Sequence, residues 1–202
     1  MNTIVFATKN KGKLREIKEI MKGCSVISID EAGIEEEIEE NGTTFEENAI
    51  IKAKAIFELL GDDLKGSVVL ADDSGLEIDW LNGAPGVYSA RFLGENTGYK
   101  EKNDHILELL KDAPEEKRGA RFVCTIAAVV PNEKNYAILT VSDKVEGVIH
   151  NCAQGENGFG YDPIFFVTEC GKTMAELPAE TKNLISHRGG ALKKIREKLE
   201  QL

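Results

Sequence analysis

The spacing of hydrophobic positions changes several times along the chain, and each change marks an element. Thr3 to Thr8 is a short apolar run rich in β-formers that ends in the polar stretch Lys9-Asn10-Lys11-Gly12-Lys13, which predicts strand, loop and helix in that order. Leu14, Ile17 and Met21 recur at helical spacing, and Gly23 stands where a helix-ending glycine belongs. Ser25 to Ile29 predicts a second strand. Thr44-Phe45-Glu46-Glu47 has the S/T-x-x-E form of a capping box and opens a helix through Ala49, Lys52, Ala53, Ile56 and Leu60. Ser67 to Ala71 reads as a buried strand ending at Asp72-Asp73-Ser74-Gly75, and Leu76 to Trp80 alternates with period two as a separate, half-exposed strand. Tyr99 to Leu110 predicts a helix with Ile106, Leu109 and Leu110 on one face. Ala120 to Val130 and Tyr136 to Val148 flank residues 131–135 and predict a hairpin. A glycine-rich segment, Gly155 to Pro163, precedes the apolar Ile164 to Val167, and a basic amphipathic helix from about Gly189 to Leu202, with Ser186 as candidate cap, closes the chain.

Helices interleave with strands in the first half, and the second half holds a long antiparallel pair. The expected class is α/β with a mixed sheet flanked by helices. No repeat, low-complexity tract or long linker divides the 202 residues, which are read as one domain. A hydrophobic fraction of 42% is enough for a substantial core. Lys plus Arg number 25 against 35 Asp plus Glu, a net charge of −10, so nucleic acid is not an expected partner and any phosphate ligand needs a local cluster of cations. No apolar run reaches the roughly 20 residues that span a bilayer, and the start of the chain reads as a strand rather than a leader, which predicts a soluble, cytoplasmic protein. Cys24, Cys124, Cys152 and Cys170 form no C-x-x-C pair and are expected as free thiols.

Three constellations carry candidate chemistry. Thr8, Lys9, Asn10, Lys11, Gly12 and Lys13 lie between strand and helix, where unpaired N–H groups and lysines suit a triphosphate; the spacing is not that of a Walker A loop. The plainer reading is a solvated loop with Asn10 as a helix cap. Asp72 and Asp73 end an apolar strand, where adjacent carboxylates suit a hard cation such as Mg²⁺, or else form a turn. Glu39 or Glu40, at the end of an acidic run, would add a further ligand. The third set joins Phe159, Gly160, Tyr161 and Asp162 to His187 and Arg188, with glycines that let a flat ligand approach and aromatics on which it could stack. Glycine-rich turns with core aromatics are the plainer alternative. Phosphate loop, metal carboxylates and a donor-rich aromatic pocket are together what a nucleoside triphosphate hydrolase requires.

The motifs resemble those of the inosine triphosphate pyrophosphatases, also called XTP/dITP diphosphatases, over almost the whole chain. They are T-x-N-x-x-K at Thr8 to Lys13, T-F-x-E-N-A at Thr44 to Ala49 with Lys52-Ala53, A-D-D-S-G-L at Ala71 to Leu76, G-A-P-G-V-Y-S-A-R at Gly83 to Arg91, G-F-G-Y-D-P-I-F at Gly158 to Phe165, and S-H-R-G at Ser186 to Gly189. The resemblance implies an elongated mixed sheet in two lobes around a central substrate cleft. It further implies a homodimer that uses Mg²⁺ to convert ITP, dITP and XTP to the monophosphate and pyrophosphate, cleansing the nucleotide pool. Carried over, Thr8 to Lys13 bind the triphosphate, Glu39 and Asp73 bind the metal, and Asp73 accepts the proton. Ser74, Phe159 to Asp162, Lys182, His187 and Arg188 contact substrate, with Lys52 and Asp72 supporting the phosphate and metal. His187 and Arg188 as donors would favour a 6-oxo purine over adenine. The alternative within enzymes is a related nucleotide pyrophosphatase acting on modified pyrimidine or methylated nucleotides.

Overall fold

A computed structural model describes residues 3–133 and 135–202. In chain order the main elements are β1 (Ile4–Phe6), α1 (Lys11–Ile20), β2 (Val26–Ser28), α2 (Phe45–Glu58), β3 (Val68–Ile78) and α3 (Tyr99–Leu109). There follow β4 (Gly119–Asn132), β5 (Asn135–Ile149), β6 (Phe165–Val167), β7 (Lys172–Thr173), α4 (Ala179–Ile185) and α5 (His187–Leu199). The strands form one seven-stranded sheet in the order β2-β1-β3-β4-β5-β6-β7. β1 pairs in parallel with both β2 and β3, with Ile4 opposite Val26 and Val68, whereas β5, β6 and β7 pair antiparallel. The fold is therefore the mixed α/β class expected. β4 and β5 are neighbours, as the hairpin reading requires; Lys134, in its turn, lies outside the described residues.

One expectation needs correction. Residues 68–78 form a single strand rather than two strands around a turn, so Asp72-Asp73-Ser74-Gly75 lies inside β3. Its local sequence favours a turn, but the strand's own alternation is carried through by apolar neighbours buried on both faces.

The chain divides into two compact units, Met1–Asp73 with Cys124–Asp143 and Arg188–Leu202, and Ser74–Val123 with Lys144–His187. The first has apolar layers on both sheet faces. Ile4, Phe6, Val68, Leu70 and Ile126 pack with Ile17 and Met21 of α1 and Leu192 and Ile195 of α5. Val5, Ala7, Val69, Ala71 and Ala127 pack with Ala49, Ala53 and Ile56 of α2. Thr44 caps α2 with a reciprocal box to Glu47, as its sequence predicts. The second unit has one core, in which Leu76, Ile78 and Phe165 meet Ile106 and Leu110. No helix among the described residues is long and apolar enough to cross a membrane.

Candidate active site

In the first unit the loop after β1 is built by its own polar side chains. Asn10 is the N-cap of α1, and its side-chain oxygen accepts from the N–H groups of Gly12 at 2.8 Å and Lys13 at 3.1 Å. Thr8 Oγ1 accepts from the Asn10 N–H at 3.1 Å. Lys9 Nζ donates to the Glu35 carbonyl at 3.0 Å, tying the loop to the acidic run. Both readings of this loop are thus compatible: Asn10 is a cap, and the cap holds lysines at a helix N-terminus.

Adjacent residues of a strand point to opposite faces of a sheet, which separates the two aspartates. Asp72 continues the Val68, Leu70 series toward α1 and α5, and Asp73 continues the Val69, Ala71 series toward α2. Asp72 is fully buried, with Oδ1 3.0 Å from Lys13 Nζ and Oδ2 accepting from Arg188 Nε at 3.0 Å. Arg188 Nη1 in turn donates to Glu16 Oε2 at 2.6 Å, and both of those residues are buried. Burial alone would push the Asp72 carboxyl up; the charges of Lys13, Arg188 and Lys52 outweigh it and hold the carboxyl well below the usual range. Cys124 Sγ lies 4.0 Å from the same carboxylate, and burial together with that charge pushes its thiol up to about 12.

Asp73, 7% exposed, has the opposite electrostatics. Asn48 Nδ2 donates to its Oδ2 at 3.0 Å, while Asn48 Oδ1 accepts the Gly42 N–H at 2.8 Å. A Cβ at position 42 would sit 2.7 Å from that oxygen, so only glycine permits the approach. Lys52 Nζ, one turn further along α2, is 2.8 Å from Glu40 Oε1. Burial, reinforced by the charge of Glu40, outweighs the pull of Lys52 and Lys13 and raises the Asp73 carboxyl above its ordinary value.

The second unit carries the aromatic set. Asp162 Oδ2 accepts from the Phe159 N–H at 2.7 Å and from Lys182 Nζ at 2.6 Å, and that ammonium lies 4.6 Å from the centre of the Phe159 ring. Gly158 has φ +74°, and a Cβ there would collide with the Asp162 carboxylate. The Tyr161 hydroxyl donates to the Ser89 carbonyl at 2.7 Å; burial pushes this phenol up, so it remains a donor. His187 stacks on Phe122 with centroids 4.9 Å apart and planes at 20°. Ser74 is half-buried in β3.

Three expected site residues have partners that bear on their roles. Asp72, expected as a support for the phosphate and metal residues, meets Lys13 and Arg188 on the face of the sheet opposite to Asp73. Arg188, expected to contact substrate, bonds Asp72 through Nε and Glu16 through Nη1. Of the acidic pair, Glu40 is the one whose charge is felt at Asp73, and Glu39 is exposed.

Similarity to known proteins agrees with the motifs. The profile of the Ham1 family matches residues 4–198. The chain belongs to that family. A protein named dITP/XTP pyrophosphatase from Caldanaerobacter subterraneus subsp. tengcongensis is 52% identical over 98% of this chain and 96% of its own length. Another of that name from Desulforamulus reducens is 50% identical over 98% and 96%. Among solved structures, a HAM1 protein from Coxiella burnetii is 42% identical, covers all of both chains and has a TM-score of 0.85. The Staphylococcus aureus Ham1 protein is 42% identical over 99% of both, with a TM-score of 0.84.

In this Ham1 chain the structure adds two residues that the sequence reading gave no role, Asn48 and Glu16. Each carried a signal. Asn48 precedes Lys52 by four residues on α2, and Glu16 follows Lys13 by three on α1, so each shares a helix face with a lysine already singled out.

Proposed function

We propose that this chain is a nucleoside triphosphate pyrophosphatase that converts dITP and XTP, the compounds named for its relatives, to the monophosphate and pyrophosphate. ITP as a further substrate, a cytoplasmic location and a homodimer belong to the same proposal. The exposed Trp80, Tyr88 and Leu93 support a contact between copies. The observation that carries the enzymatic reading is the opposite tuning of Asp72 and Asp73. A carboxylate surrounded by cations anchors; one raised by burial and a second carboxylate is suited to accept a proton or to meet a cation.

The residues also fit Mg²⁺. Glu40 and Asp73 offer hard oxygen donors, and the unfavourable proximity of their charges is what a cation relieves. Among the described residues no cluster of three or more His, Cys, Asp or Glu could hold a metal ion, so Mg²⁺ here would need the substrate's own phosphates beside one or two carboxylates. When bound, Mg²⁺ supplies charge neutralisation on the phosphate oxygens.

The chain's own residues do the rest. Thr8 to Lys13 receive the triphosphate, with Asn10 fixing the loop and Asp72 holding the Lys13 ammonium. Arg188 and Glu16 keep Asp72 in place. Asn48 orients Asp73, which takes the proton from the attacking water, and Lys52 steadies Glu40. Phe159 offers its ring to the base, Lys182 and Asp162 hold that ring, and His187 supplies a donor toward a 6-oxo group.

Steady-state hydrolysis of dITP, XTP, ITP, GTP, ATP and a modified pyrimidine triphosphate with Mg²⁺, measuring pyrophosphate and orthophosphate separately, tests this. Pyrophosphate release with dITP and XTP preferred is expected. Orthophosphate as the first product, or faster turnover of a modified pyrimidine triphosphate, overturns it.

A further inference from the structure

α3 breaks the rule that a helix buries an apolar stripe. Its core-facing positions, Tyr99, Lys102, Asn103 and Ile106 with Leu110 beyond, follow helical spacing, yet two of them are polar. Lys102 is 1% exposed and Asn103 is 5% exposed. Neither is satisfied in the ordinary way. Lys102 Nζ donates to the Ala90 carbonyl at 2.5 Å and lies 5.0 Å from the Tyr99 ring centre, with no carboxylate in ion-pair range among the described residues. Asn103 Nδ2 donates to the Gly160 carbonyl at 3.2 Å, while its buried Oδ1 meets no hydrogen-bond partner among the described residues.

Burying an ammonium against a single carbonyl, or an amide with its oxygen unsatisfied, costs stability that a leucine at the same place would not. The two carbonyls explain where the return lies. Gly160 is inside the Phe159–Asp162 turn, which Asp162 closes onto Phe159, and has φ +70°, a conformation glycine enters and leaves at little cost, so a bond to its carbonyl adds to what holds the peptide there. Ala90 adjoins Ser89, whose carbonyl accepts the Tyr161 hydroxyl of that same turn, and the Tyr99 ring meets Tyr161 edge-on at 5.3 Å. One helix face therefore grips the turn directly at Gly160 and indirectly through residues 89 and 90.

We propose that Asn103 and Lys102 are positioning residues for the Phe159 turn, setting the ring on which the purine stacks by fixing the Gly160 and Ala90 carbonyls. The inference rests on the reading of that turn as the base site. Neither side chain need touch the nucleotide; both act through the backbone that carries Phe159.

The experiment is dITP kinetics of the full chain with Mg²⁺, comparing Asn103→Leu with wild type and repeating the substitution in a Phe159→Ala background. Lys102→Met is read in the same way. Loss of one such bond should raise KM about tenfold with kcat within about threefold, and the same substitution should change KM by less than about twofold once Phe159 is gone. If Asn103→Leu does not fold, Asn103→Ala removes the donor without added bulk or charge and is judged by the same two ratios. An equal KM change in both backgrounds, or a lowered melting temperature with KM unchanged, overturns the positioning role and leaves the residues structural. A wild-type chain that releases no pyrophosphate from dITP or XTP overturns the functional reading itself, and with it this inference.

Discussion

The polar sets of the two units are organised by different forces. In the first unit, charges hold charges: Glu16, Arg188 and Asp72 form a buried chain of ion pairs that ends on the partly exposed Lys13, and Glu40 with Lys52 forms a second pair beside Asp73. In the second unit, carbonyls and rings do most of the holding, through Lys102 to Ala90, Asn103 to Gly160, Tyr161 to Ser89 and His187 on Phe122. A rigid ionic frame fixes where phosphate charge can sit and tunes pKa values strongly because its members are desolvated. The second frame combines the buried Lys182–Asp162 ion pair with carbonyl and ring contacts around glycines, and it fixes the shape of the turn that carries Phe159. The contrast teaches that substitutions in the first set should move rate and pH dependence, and those in the second should move KM.

The largest expected effect separates Asp73 from its neighbour. Asp73→Asn keeps shape and the bond to Asn48 but removes the proton acceptor, so turnover should fall by about 10²–10⁴. Because the folded carboxyl is raised, its ionised form is a cost at neutral pH, and the variant should melt at the wild-type temperature or slightly above it. Pyrophosphate release and thermal melts on one preparation check both halves. Near-native turnover removes Asp73 from the reaction.

Arg188→Ala should act on stability. It takes the guanidinium away from two buried carboxylates, Asp72 keeping Lys13, and breaking a buried pair by removing one partner costs about 3–5 kcal/mol. The pH dependence has a definite sign. The folded Asp72 carboxyl is depressed, so its contribution is complete above the unfolded carboxylate value of about 3.9 and is lost as pH falls through the folded value. Denaturant titrations of wild type and Asp72→Asn should therefore diverge at neutral pH and begin to converge only as pH falls below about 4 toward the folded value. Curves that stay parallel to low pH contradict the ionic frame.

These pairs also mark where the sequence stopped being informative. The capping box of α2, the Asn10 cap and the mixed sheet class were legible because they depend on local spacing. The continuity of β3 was not, since Asp-Asp-Ser-Gly carries turn chemistry and is held extended by neighbours distant in the chain. The Arg188 to Glu16 bond joins residues 172 positions apart, and no local pattern specifies it. Once the strand is known to be unbroken, period two alone assigns Asp72 and Asp73 to different faces. Lys102 and Asn103 were hidden for a related reason: a polar residue at a core-facing helical position looks like a surface residue until the neighbours are placed.

In the second unit, Phe159→Ala should weaken every purine triphosphate similarly, by about 1–3 kcal/mol in kcat/KM, because stacking is nearly indifferent to the identity of the base. Its pH profile should overlay that of wild type. A profile displaced along the pH axis would mean that the aromatic set is coupled to the titrating carboxylates, and the contrast drawn between the two frames would fail.

The smallest expected effect tests the acidic run, where one position decides the assignment. Glu40 is paired to Lys52 at 2.8 Å and contributes to the raised Asp73 carboxyl, whereas Glu39 next to it is exposed. Glu40→Gln keeps the shape, removes a charge beside Asp73 and frees Lys52 to act on that carboxylate alone. Turnover should therefore fall about tenfold or more, and the acid limb of the pH–rate profile should move to lower pH. Glu39→Gln changes a solvated surface charge, for which the usual consequence is within about 0.5 kcal/mol, or roughly twofold in kcat/KM. The two variants measured side by side, at several Mg²⁺ concentrations, discriminate between them without reference to absolute rates. A Mg²⁺ requirement that rises for Glu39→Gln and not for Glu40→Gln would return the ligand role to Glu39, and the ionic frame would then have to be redrawn around the exposed residue.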